Sequence, residues 1–212
     1  MWISPIFDKN TVFLNRSAGL TFGVLALVFL SYFFIDRPLA LYMQSPPWLI
    51  SVYAKGASAL CNPSVHVFFW LFAFYALRFM CRLGVIGNRM LFFALAVVVA
   101  NVTIGPMKVF FGRMRPELFL QQHLYGFDFF SFHYSDLSFP SGHATTIAAL
   151  AGAIACFKPR YSWHCMGVAF LLGFSRVILN KHYLSDVFMG TYMGLIVGQT
   201  VYLTMKLDAR RS

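Results

Sequence analysis

Three polar clusters interrupt an otherwise apolar chain, and their residue types are those that hold an anion and attack it. Lys108 precedes Arg115-Pro116 by seven residues, Pro140-Ser141-Gly142-His143 stands directly before the apolar run 144–157, and Ser175-Arg176 leads into His182 and Asp186. Arg offers a planar fork to two oxygens and Lys a compact point charge, with Arg176 as a third cation. Pro116 biases Arg115 out of helical geometry, so that its guanidinium can swing from a loop toward the spot that Lys108 faces. A Ser-Gly start to an apolar helix presents backbone N–H groups to an anion and lets it approach closely. His182 and Asp186, four residues apart, share a helical face; an Asp that accepts the Nδ1 proton leaves the Nε2 lone pair free to attack. His143, beside the anion, is left for proton transfer to a departing oxygen.

Each feature also has a plainer meaning. A single Lys or Arg at the end of a span snorkels, Pro-Ser-Gly is commonly a turn, and His143 could cap or pack. His182 and Asp186 could ligate a metal, but Glu117, Asp128 and Asp136 all fall in an aromatic stretch away from them, so no metal and no cofactor is expected. His66, His123, His133 and His164 receive no catalytic role. Convergence of the three clusters on one face favours chemistry over the plainer readings.

The elements that must position these residues are membrane helices. Of 212 residues, 59% are apolar and only 11% charged, which excludes an ordinary water-soluble domain. The net charge of +10 is spread among hydrophobic spans and not gathered on one polar face, so it suits anionic lipid and no nucleic-acid partner is expected. Hydropathy predicts one all-α polytopic domain over residues 1–212, with six transmembrane helices at about 18–35, 57–77, 90–107, 141–157, 163–174 (extending toward 178) and 183–205. An amphipathic lead-in occupies residues 1–17. The first span lacks a small-residue cleavage site after Phe33-Phe34-Ile35 and is expected to be a retained anchor. Residues 37–55 read as an interfacial segment anchored by Trp48 and Tyr53. Residues 108–139 form a long aromatic outer loop, equally suited to gating a substrate or to packing at the headgroup level. Cys61, Cys81, Cys156 and Cys165 read as packing residues. Gly190, Gly194 and Gly198 form a ridge for close helix packing, with dimerisation the weaker expectation. Six spans put both termini on one side, which carries ten Lys and Arg against seven on the other; the termini are therefore expected in the cytoplasm and the clusters outside.

With these motifs in order, the chain resembles the type-2 phosphatidic acid phosphatase superfamily of membrane lipid phosphatases. The likeness rests on Lys108-x6-Arg115-Pro116, Pro140-Ser141-Gly142-His143 and Ser175-Arg176-x5-His182-x3-Asp186, and the six-span layout extends it over most of the chain. Soluble vanadium-dependent haloperoxidases share the motifs but lack such spans. The resemblance implies that Lys108, Arg115, Ser141, Gly142 and Arg176 bind phosphate, His182 attacks phosphorus, Asp186 orients it and His143 protonates the leaving group, with no metal. It implies a multi-pass inner-membrane hydrolase of a lipid phosphate monoester or pyrophosphate: phosphatidic acid, phosphatidylglycerol phosphate, undecaprenyl pyrophosphate or lipid A. A lipid phosphotransferase would use the same phosphohistidine with another acceptor. A non-enzymatic lipid-binding or transport protein would need the cations but neither nucleophile nor acid.

Overall fold

The first apolar run does not stop at Ile35. In the computed structural model, which describes residues 17–208, α1 (Ser17–Leu30) passes through a π-helical turn (Ser31–Ile35) into α2 (Asp36–Tyr42). The π turn, closed by the Asp36 N–H on the Ser31 carbonyl, ends three residues before Pro38, where a regular α-helix would lose a bond. Asp36, expected to end the span, is instead buried within it. The apolar helix therefore extends over Gly19–Tyr42, 24 residues and long enough to cross a bilayer.

The segment expected at the interface is a 13-residue helix, α3 (Trp48–Leu60), with Trp48 and Tyr53 exposed and Ala54 and Ala57 buried. It takes in residues 57–60, which hydropathy had assigned to the second span. That span starts at Pro63: Asn62 accepts from the amides of Ser64 (3.0 Å) and Val65 (3.4 Å), and Pro63 occupies the first helical position. It comprises α4 (Pro63–Tyr75) and a π turn (Ala76–Met80).

Next comes α5 (Gly84–Phe111), 28 residues long, beginning six residues before the expected start of the third span at 90 and running through Pro106 to four residues beyond its expected end at 107. Gly112 stops it in the left-handed region (φ 52°), and a Cβ there would lie 1.6 Å from the Asp128 carbonyl oxygen, so both backbone angle and space demand Gly. The loop beyond Gly112 carries a short helix, α6 (Pro116–Gln122). Tyr125, Phe127 and Phe139 form ring contacts within the fold, while Phe129, Phe130, Phe132 and Tyr134 are exposed.

At the centre, α7 (Gly142–Phe157) packs on α9 (Leu184–Asp208), with α8 (Ser162–Ile178) and α5 against them. The glycine ridge makes this contact within the chain: a Cβ at Gly190, Gly194 or Gly198 would lie 2.6, 2.2 or 2.2 Å from the carbonyl oxygens of Ser141, Thr145 and Ala149. Small residues answer it from α7, where Ala144, Ala148, Ala149 and Ala153 are buried.

Among the described residues the regular structure is helical, with one isolated bridge, Arg113 to Phe127, and four helices are long and apolar enough to cross a membrane. α7 is apolar but shorter. No disulfide joins the four cysteines; Cys61 and Cys156 are buried, whereas Cys81 is exposed and so is not the packing residue expected. The lead-in, except Ser17, lies outside the described residues, as do Lys9, Arg16, Arg210 and Arg211 of the charge count.

Candidate active site

All three clusters occupy one end of the helix bundle. Lys108 is in the last turn of α5, Ser141 is the N-cap of α7, Arg176 is in the last turn of α8, and His182 and Asp186 flank the start of α9. Lys108 donates to the carbonyls of Leu137 (3.0 Å) and Pro140 (2.6 Å), which ties the loop before Ser141 to α5. Arg115 is extended (φ −77°, ψ 158°), as Pro116 requires, and does not continue the helix of Lys108. Its guanidinium donates to the backbone oxygens of Tyr134, Leu137 and Lys181 and lies 4.1 Å from the Tyr134 ring centre. Arg176 donates to Ser58 Oγ at 2.6 Å, so α3 positions this cation. The three cations interact electrostatically with one another and with His143.

Beside these cations, Ser141 Oγ and Arg176 Nε are buried with no hydrogen-bond partner among the described residues. Ser141 does not cap α7 with its side chain, contrary to the usual use of Ser at such a position. The hydroxyl and the first-turn amides of α7, around Gly142 and the half-buried His143, thus remain for a ligand. Buried unsatisfied donors beside three cations are what an anion site presents before it is filled.

His182 is buried, and its Nδ1 is 2.8 Å from the Ser138 carbonyl oxygen. A carbonyl can only accept, so Nδ1 carries the proton and Nε2 has the lone pair. Asp186 Oδ2 is farther from Nδ1, at 3.5 Å. The orientation expected from Asp186 alone is therefore shared: Ser138 O takes the shorter bond, and Ser138 Oγ donates to Asp186 Oδ2 at 2.6 Å. Burial foremost, with the Lys108 and Arg115 charges and against the Asp186 hydrogen bond, brings the His182 pKa down to about 3. Its imidazole is neutral at physiological pH, the state a nitrogen nucleophile needs.

Residue types and spacing missed the groups behind Asp186. Arg113 is 1% exposed and reaches Asp186 Oδ1 with Nη1 and Asp36 Oδ2 with Nη2, the latter at 2.7 Å. Ser185 bridges the same atoms: its Oγ pairs with Asp36 Oδ2 and accepts from Arg113, while its amide donates to Asp36 Oδ1 at 3.1 Å. Tyr32, Tyr125, Phe127, Phe139 and Tyr183 surround the guanidinium, with ring centres 4.5 to 6.0 Å from Cζ. Burial lowers the Arg113 pKa, but Asp186 and Asp36 outweigh it and hold the group above the ordinary arginine value. The sequence held one signal for this cluster, an acid inside an apolar run, which calls for a partner.

Two apolar cavities lie elsewhere. One of about 560 Å³, between α4, α7 and α8, is lined by Trp70, Ile147, Leu150 and Val168; another of about 370 Å³ lies between α1, α8 and α9. None of the eight candidate residues lines either.

Comparison with known proteins bears on this geometry. The family model described as PAP2 superfamily matches residues 89–210. A lipid A 1-phosphatase of Rhizobium etli is 39% identical over 98 residues, which is 46% of this chain and 42% of that protein, so the chain matches under half the length of this relative. YbjG of Escherichia coli, a provisionally assigned undecaprenyl-diphosphatase, is 30% identical over 156 residues, 72% of each chain. Among solved structures, LpxE of Aquifex aeolicus superposes with a TM-score of 0.59 at 21% identity, covering 80% of this chain and 96% of its own. A PAP2-type phosphatidylglycerolphosphate phosphatase of Bacillus subtilis gives 0.57 at 24%, covering 89% and 94%. The two superpositions establish a shared fold.

Proposed function

The chain belongs to the PAP2 superfamily, and on that footing we propose that it is a multi-pass membrane phosphatase that removes phosphate from a membrane lipid through a phosphohistidine. The observation that carries this reading is the geometry of His182: Nδ1 is held by Ser138 O at 2.8 Å, which leaves Nε2 for phosphorus, close to the Lys108 and Arg115 cations.

Lys108, Arg115, Arg176, Ser141 and the Gly142 amide hold the lipid phosphate. His182 Nε2 bonds phosphorus as the P–O bond to the lipid breaks, and His143 gives a proton to the departing oxygen. The ring keeps its Nδ1 proton and gains a positive charge, which Asp186 balances. Water, losing its proton to His143, then hydrolyses the N–P bond. The cations stabilise charge on the equatorial oxygens in both steps.

The layout that accompanies this mechanism is one domain of six spans, with α7 and α8 completing the four longer apolar helices, both termini cytoplasmic and the site on the outer face of an inner membrane. The names of the relatives make lipid A 1-phosphate and undecaprenyl diphosphate the first substrates to test, followed by phosphatidylglycerol phosphate and phosphatidic acid. The test is phosphate release by purified protein across these four lipids; release from none of them would remove the reading. Release is expected to be unchanged in EDTA, whereas a loss restored by a divalent cation would indicate a metal-dependent reaction. Vanadate, which takes a fifth ligand in place of phosphorus, should inhibit competitively, and indifference to it counts against attack by His182.

A further inference from the structure

The ion cluster behind the nucleophile has an odd number of charges. Two carboxylates, Asp36 and Asp186, face one guanidinium, that of Arg113, and the two acids are 1% and 0% exposed. A buried cluster with a net charge is costly unless a neighbour requires that charge. The neighbour is His182, which adjoins Asp186 on one side and feels Lys108 and Arg115 on the other. Without Asp36, Arg113 alone would cancel Asp186, and a cationic ring at position 182 would face the phosphate-site cations with no net anion behind it.

We infer that Asp36 is a positioning residue for the reaction: by occupying one arm of the Arg113 fork, it leaves Asp186 with a net negative charge directed at His182. This rests on the reading of His182 as nucleophile. It extends the machinery to the first apolar helix, outside the 89–210 region that the family model matches. The geometry is specific. Arg113 Nη1 goes to Asp186 and Nη2 to Asp36, and Ser185 contacts Arg113 and Asp36 from the residue next to Asp186, so that the carboxylates sit on separate arms of one guanidinium. The remaining Asp186 oxygen is engaged by Ser138 Oγ and by the Tyr183 amide at 2.9 Å, which fixes the carboxylate plane. Cross-links from α2 to Arg113 and to Ser185 would also serve a structural role, so the test must separate the two.

Asp36→Asn keeps the shape and removes the charge. In the purified full chain, kcat for phosphate release is expected to fall about tenfold, with KM within about twofold of wild type, because the charge acts on the ring cation and not on the bound phosphate. Arg113→Lys, which keeps a positive charge but cannot fork between two carboxylates, is the second variant should Asp36→Asn not fold, and the same split is expected. A folded Asp36→Asn or Arg113→Lys enzyme with wild-type kcat and only a lower melting temperature overturns the inference and leaves the nucleophile intact. Retained turnover in His182→Ala, assayed alongside, overturns both.

Discussion

His182→Ala is expected to reduce phosphate release to background, a loss of about 10⁴-fold or more, because on the proposed reading its Nε2 forms the bond to phosphorus. The protein should still fold. His182 is buried, and its removal leaves the Ser138 carbonyl without its 2.8 Å partner and Asp186 without its weaker 3.5 Å contact, at a cost of about 1–3 kcal/mol. Size-exclusion behaviour and a thermal melt in detergent check the fold, and lipid-phosphate turnover checks the chemistry. Phosphate binding should survive in the variant, since Lys108, Arg115, Arg176 and Ser141 are untouched. Full activity with an intact fold would falsify the assignment of His182 and transfer attention to His143, the other candidate histidine.

Gly194→Ala should be a strongly damaging single-methyl change in the contact between α7 and α9. The new Cβ would lie 2.2 Å from the Thr145 carbonyl oxygen and 2.8 Å from both Ala148 Cβ and Ala149 N. Two of those atoms are backbone, so no side chain can rotate away, and α7 and α9 must separate. The expected cost is about 3 kcal/mol or more. These two helices also bear the site: the Ser141 amide donates to the Asp186 carbonyl at 3.1 Å. A shift of about 1 Å between them should lower turnover of the surviving folded protein by about 10²-fold. Gly167→Ala on α8 is the control, because a Cβ there meets nothing within 4 Å. It should be neutral or stabilising by about 0.5–1 kcal/mol, since Ala favours a helix over Gly. Equal melting temperatures for the two variants would mean that the ridge is not a tight contact.

The sequence by itself determined the membrane-helical class and the eight candidate residues. Both are written in local terms: apolar runs of crossing length, and polar types at short fixed spacings such as His182 to Asp186 or Arg115 before Pro116. The glycine ridge was legible for the same reason, as a spacing of four along one helix. Boundaries were less so. Asp36 looked like the end of a span because an isolated carboxylate in lipid is costly, and only its pairing with Arg113, 77 residues away, makes it tolerable inside one. Asn62-Pro63 did mark a helix start, but hydropathy averaged across it.

Tertiary structure alone decided what surrounds His182. Its shortest hydrogen bond goes to a backbone carbonyl, a group that every residue carries and that no sequence pattern reveals. Likewise, Arg113 is one more basic residue in a basic stretch until the fold buries it between two carboxylates and five aromatic rings. Spacing along the chain can place two side chains on one helical face, but it cannot bring α2, the loop at Arg113 and the start of α9 to one point. Packing between elements far apart in the sequence does that, and with it decides what lies behind His182.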